Sequence, residues 1–127
     1  MAASFRPCFI EVNVSGEATK LGLDLREWEK SATQRAELRT LYTDAAGLPG
    51  LSVMGLMTMA PWDAEPEFIR TVFKRTRLLA EWLAEAMELE RPLALSMGMT
   101  DDYPLAIAEG ATHVRVGRAL FGERHTH

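Results

Sequence analysis

The stretch Pro92–Phe121, "PLALSMGMTDDYPLAIAEGATHVRVGRALF", changes its pattern twice within thirty residues. Pro92–Met99 is an apolar run of strand length. A polar turn follows, then a short helical segment from about Tyr103 to Glu109 that Gly110 ends. A second β-rich run begins at His113, extends to Phe121, and is broken by Gly122. Two strands joined through a helix pair in parallel, because the helix serves as the crossover between them.

The same alternation extends upstream. Pro7–Val14, "PCFIEVNV", reads as a strand, and the glycine-containing segment Ser15–Leu23 as a loop. Asp24 followed by Glu27 resembles a capping box, which predicts a helix over Leu25–Ala46, stopped by Gly47 and Pro49. Leu51–Met59, "LSVMGLMTM", is another strand. Pro66 opens a long helix that carries Phe68, Ile69, Val72, Phe73, Leu79, Leu83 and Met87 close to one face. The reading is a single α/β domain over residues 1–127, with about four parallel strands alternating with helices.

The side-chain pattern refines the fold class. In the first strand Glu11 and Asn13 share one side, and Ile10, Val12 and Val14 the other. In the last, Arg115 and Gly117 oppose Val114 and Val116. An open doubly wound sheet tends to be apolar on both faces. One polar-dotted side suits the interior of a barrel, where ligands sit at the C-terminal ends of the strands.

Composition narrows the function classes. The chain has 127 residues, is 47% hydrophobic and 25% charged, and carries a net charge of -4. That is an ordinary globular composition without the clustered basic face a nucleic-acid partner requires. Arg70, Lys74, Arg75 and Arg77 fall at helical spacing among apolar residues and read as a solvated helix face. Cys8 is the sole cysteine, so no intrachain disulfide is possible. No apolar run has the length of a signal peptide core or a membrane span, and a cytoplasmic location with no membrane partner is expected.

Two stretches carry candidate chemistry. Ser96, Gly98 and Thr100 lie where a strand ends and a helix begins, a place where backbone amides and a helix dipole favour an anion. The same residue types are also ordinary caps. Arg115, Gly117 and Arg118 lie at the end of the last strand, where a glycine exposes amides and a guanidinium pairs with phosphate oxygens. In barrels the loops after the last two strands often share one phosphate site. His113, His125 and His127 lack a ligand set for a metal. Glu11 reads as a structural partner for Arg115 rather than a general base. Met54, Met57, Met59, Met97 and Met99 read as core fillers.

The segments "EVNVSGEATKLGL", "GLMTMAP", "LSMGMTDDYPLAIAEGATHVRVG" and "ALFGER", in this order, resemble the pyridoxal phosphate homeostasis protein family, an alanine-racemase-like group. The resemblance covers about Pro7 to Arg124 and corresponds to the C-terminal half of that family's barrel. It implies half of a (β/α)8 TIM-type barrel and a protein that buffers or delivers pyridoxal 5'-phosphate without firmly established turnover. It also implies a phosphate cup formed by Ser96, Thr100, Gly117 and residue 118, with Arg115 near the cofactor ring or its phosphate. Many members carry a small hydroxyl residue where this chain has Arg118.

Family members are about twice as long, and the lysine that carries the cofactor sits in the half not matched here. This chain's lysines are Lys20, Lys30 and Lys74. Lys30 and Lys74 fall in predicted helices. Lys20 matches a rim lysine of the family, not the cofactor-bearing one. The cofactor is therefore expected to be held without a covalent bond, or lost. An amino-acid racemase would also need an acid–base residue on the opposite face of the cofactor, and none is located. Four strands do not close a barrel, so exposed edges predict a homodimer or a complement to the missing half. A self-associating assembly module without cofactor is the alternative reading.

Overall fold

The computed structural model describes residues 5–16 and 21–115. Strand β1, Arg6–Asn13, is followed by a two-residue strand β2, Leu23–Asp24, and helix α1, Ala32–Ala46. Strand β3, Leu51–Met57, leads to helix α2, Pro66–Ala86, and then to strand β4, Ala94–Met99. Helix α3, Tyr103–Ala108, and strand β5, His113–Arg115, complete the described order. The sheet runs β2-β1-β3-β4-β5, and every pairing is parallel.

Two rows across this sheet separate its faces. Ile10, Leu56 and Leu95 lie level on β1, β3 and β4, and all three are buried. They pack in one core with Val72, Phe73, Leu79 and Leu83 of α2, Leu38 of α1 and Ala106 of α3. One residue further along, Glu11, Met57, Ser96 and His113 form the neighbouring row on the opposite face. The first three are partly exposed and His113 is exposed. The rings of Phe9 and His113 meet edge to face, 5.2 Å between centroids, although β3 and β4 separate their strands. Only a strongly curled sheet brings these rings together, and this curvature is that of a barrel wall.

Two glycines permit the curl. Cys8 pairs with Val53 but Phe9 pairs with Gly55, so Met54 is the extra residue of a bulge. A Cβ on Gly55 would collide with the backbone of Ala94. Gly98 has φ +104, and a Cβ there would lie 2.7 Å from the Cβ of Ala106, so glycine lets α3 close onto the end of β4.

The long helix, the short helix and the main strands follow the sequence expectations, and a fifth, very short strand joins them. The first helix starts later than its predicted Leu25. Asp24 belongs to β2, and its carboxylate binds the backbone and guanidinium of Arg26 instead of capping a helix. Leu25 and Trp28 are buried in the core from a turn. The carbonyls of Trp28 and Glu29 accept from Arg35. The true cap is Ser31, which accepts from the Gln34 amide while the Gln34 side chain accepts from Glu27 N–H. Of the expected last strand, His113–Arg115 is seen, and its continuation lies outside the described residues.

The basic stretch on α2 is not a simple solvated face. Arg75 grips Glu29 through Nε and Nη2, both at 2.7 Å, and donates to the carbonyls of Val14 and Arg26. It thereby clamps both ends of the connection between β1 and α1. Arg77 pairs with Glu81 at 3.1 Å and Glu109 at 3.6 Å, and Arg70 reaches Glu109 at 3.5 Å, tying α2 to α3. Lys74 remains exposed. A planar guanidinium can bridge several acceptors at once, whereas an ammonium concentrates its charge at one point.

Candidate site at the strand C-terminal rim

All five strands end at the same rim, because all are parallel. Thr58 fixes it: its amide donates to Ser96 carbonyl at 3.1 Å, and its hydroxyl donates to Val12 carbonyl at 2.8 Å. Three strands are thereby locked to one another just below the loops. Thr112 performs a similar service for β4 and β5, exchanging hydrogen bonds with both the amide and the carbonyl of Leu95.

Ser96 and Arg115 line one small depression of about 10 Å³, together with Met57, Thr58, Met59, Met97, Gly98 and Met99. A residue bearing a hydroxyl and one bearing a guanidinium thus line the same depression, and both groups are donors of the kind a phosphate oxygen accepts from. The volume has room for a single oxygen-sized group, so a phosphate would rest on its mouth. Thr100 lines a different space, an adjoining cleft of about 660 Å³ between the β3–α2 and β4–α3 loops. Gly117 and Arg118 lie outside the described residues, as does Lys20.

The turn after β4 satisfies itself in part. The Met99 amide donates to the Asp102 carboxylate at 2.7 Å, and the Asp102 amide returns to the Met99 carbonyl. That amide is therefore taken, and a carboxylate stands close to the cup. Helix α3 is only six residues long and adds little dipole. The amide-and-dipole part of the sequence expectation is thus weaker than its side-chain part.

Glu11 and Arg115 do not form an ion pair within the chain among the described residues; β3 and β4 lie between their strands. Of the five methionines read as core, only Met97 is buried, while Met54 and Met99 are exposed and Met57 and Met59 line the rim. Sequence reasoning also missed the large cleft. Its walls include Met59, Pro61, Ile69 and Leu105, and Trp62 at its edge is 84% exposed. The available signal was the "MAPW" run, an aromatic placed where a loop rather than a core element was expected.

Electrostatics around the rim are set by local pairs. The Arg75 side chain, hydrogen-bonded to Glu29, holds that carboxyl below its ordinary range. Arg26 does the same for Asp24. Lys30, in the turn before α1, and Lys74, on α2, are both exposed. Among the described residues no group of three His, Cys, Asp or Glu side chains is arranged to hold a metal. No helix there is long and apolar enough to cross a membrane.

Comparison with known proteins agrees with this architecture. Residues 6–125 match the family model described as alanine racemase, N-terminal domain. A pyridoxal phosphate homeostasis protein of Aquifex aeolicus is 42% identical over 115 residues, covering 91% of this chain and 46% of that protein. Its namesake in Haemophilus influenzae is 39% identical over 119 residues, covering 91% and 45%. The structure of PipY from Synechococcus elongatus superimposes with a TM-score of 0.75 at 32% identity, over 93% of this chain and 50% of that one. PipY with PLP bound gives 0.73 at 31% identity, over 94% and 50%. The chain spans about half the length of the curated relatives it matches. With a matching family model, a curled parallel sheet and helices on its outer face, the chain belongs to the alanine racemase N-terminal-domain family, beside the pyridoxal phosphate homeostasis proteins.

Proposed function

We propose that this chain anchors pyridoxal 5'-phosphate through its phosphate group at the C-terminal ends of β4 and β5, as a non-covalent carrier or buffer and not as an enzyme. Ser96 and Arg115 form the described part of the cup, with Thr100 flanking it and Gly117 and Arg118 completing it. The observation that carries this reading is that Ser96 and Arg115, on adjacent strands, line the same rim depression. The homeostasis proteins among its relatives, and PipY with PLP bound, support the choice of cofactor.

When bound, the cofactor supplies an aldehyde and an electron-accepting ring. The chain's own part is to neutralise and orient the phosphate. Arg115 contributes a charge-assisted contact and Ser96 a neutral one. Lys30 and Lys74 are exposed and do not line the depression bordered by Ser96 and Arg115, and we assign Lys20 a rim role. On this reading the matched half supplies the phosphate contacts, and none of its own lysines captures the cofactor covalently.

Borohydride reduction in the presence of the cofactor, followed by peptide mass spectrometry, tests this. Saturable binding without a lysine adduct is expected. A stoichiometric adduct on Lys20 would overturn the non-covalent reading.

One observation favours a second reading. The Asp102 carboxylate occupies the Met99 amide and places negative charge beside the cup. A self-associating module without cofactor would retain such a self-satisfied turn. In that case alanine at Ser96, Thr100 or Arg118 would leave phosphate affinity unchanged.

A further inference from the structure

We infer that the cleft between the β3–α2 and β4–α3 loops binds a small organic cation, a protonated amine carried on an apolar or aromatic body. The cleft encloses about 660 Å³, within the range of small-molecule sites. Its walls belong to two neighbouring parallel strands and the helices that follow them, so the register of the sheet holds them in place. Pro61 and Ile69 are buried there, while Met59 and Leu105 are partly buried, which provides an apolar wall for the body of a ligand. A space folded between two loops suits a compact guest rather than the broad face that a protein partner requires.

Charge decides the class of guest. Asp63, Asp101 and Asp102 are among the lining residues, and among the described residues no lysine, arginine or histidine lines the cleft. Arg70, the residue after Ile69 on α2, is engaged with Glu109 at 3.5 Å. Three aspartates around an apolar space disfavour an anion and favour a cation. One oxygen of Asp102 accepts from the Met99 amide at 2.7 Å. A carboxylate has acceptor sites on both oxygens, so that bond leaves capacity for an ammonium group. Trp62 stands at the edge of the cleft, 84% exposed. An indole face attracts a cation, and an apolar guest would bury ring surface that the fold itself leaves in solvent.

The two spaces of the rim thus differ in sign. Ser96 and Arg115 line the small depression, the three aspartates line the cleft, and Met59 and Met99 border both. The Asp102 carboxylate is a poor neighbour for a phosphate. A cation in the cleft gives that charge its counterpart.

Calorimetric titration of the chain with phenethylamine, in phosphate-free buffer and without cofactor, tests this independently of the phosphate reading. Phenethyl alcohol and phenylpropionate serve as neutral and anionic comparators with the same aromatic body, and methylamine keeps the charge without the body. Phenethylamine should bind saturably and about tenfold or more tighter than each of the three. Added salt should weaken it. Asp102→Asn keeps an acceptor for the Met99 amide and removes the charge. That variant, and the double variant Asp63→Asn with Asp101→Asn, should each bind phenethylamine several-fold more weakly and leave the alcohol unaffected. Trp62→Ala should weaken it by a few fold. Circular dichroism reports whether each variant is folded, and if one is not, the ligand series on the wild type decides. Equal affinity for amine and alcohol, indifference to salt, or no saturable binding of the amine would overturn the inference. So would folded asparagine variants that bind the amine as the wild type does.

Discussion

The two faces of one sheet do different work although the same strands build both. On the helix side, Ile10, Leu56 and Leu95 lie level and buried against α2 and its neighbours. On the inner side, one residue out of phase, Glu11, Met57, Ser96 and His113 lie level and at least partly open. Stability is concentrated in the first row, and the proposed phosphate contacts lie with the second. The difference shows how a strand's two-residue repeat lets a chain vary its chemistry without disturbing its core.

The largest expected effect is on the buried side. Phe73→Ala removes a fully buried ring from the α2 contact and should destabilise the fold by about 3–5 kcal/mol in denaturant titration. The rim should bind phosphate normally in whatever fraction remains folded. Loss of binding beyond that fraction would show that the two faces are not separable.

Arg75→Ala comes next, because it leaves Glu29 and two backbone carbonyls without their guanidinium. A loss of about 2–4 kcal/mol is expected in the same measurement. Arg75→Lys should recover only part of it, since an ammonium cannot reproduce the forked geometry. Full recovery would mean that charge alone matters at this clamp.

On the inner side the order of effects reverses. Arg115→Ala should cost less than about 1 kcal/mol of chain stability. It should nonetheless weaken cofactor binding by at least tenfold, as expected for a charge-assisted phosphate contact. Ser96→Ala should weaken binding by a few fold, about the worth of one neutral hydrogen bond. Calorimetric titration measures both. A core-like stability loss at either position would blur the distinction between the faces.

The smallest effect is on pH dependence. Arg75 lowers the carboxyl of Glu29 from its ordinary value of 4.5 in the folded state. Its contribution to stability is therefore present above that value and fades as the pH falls through the lowered folded value. Glu29→Gln should flatten this acid branch slightly and leave neutral-pH unfolding nearly as steep. The side chain is partly exposed, so solvent screens the pair and the change stays small.

Much of the architecture was legible because hydrophobic period and turn residues agree in the strands from Leu51 and Pro92 and in the helix from Pro66. The late start of α1 was not, since Asp24 and Ser31 both offer cap chemistry. Burial of Leu25 and Trp28 in a turn, a tertiary effect, decided for Ser31. That Ser96 and Arg115 border one depression could be read from their places near the ends of adjacent strands. The separation of Thr100 into the neighbouring cleft could not, because it depends on how the turn folds back through Asp102. Arg75 was misread because helical spacing says which face a residue occupies but not which carbonyls wait there.

The central claim is that Ser96 and Arg115 act together on one phosphate. Calorimetric titration of pyridoxal 5'-phosphate into the wild type, each single alanine variant and the double variant, with inorganic phosphate as competitor, tests it most directly. The account predicts competition in the wild type and a double variant with binding below detection, while circular dichroism stays that of a folded chain. Undiminished affinity in the folded double variant would contradict it.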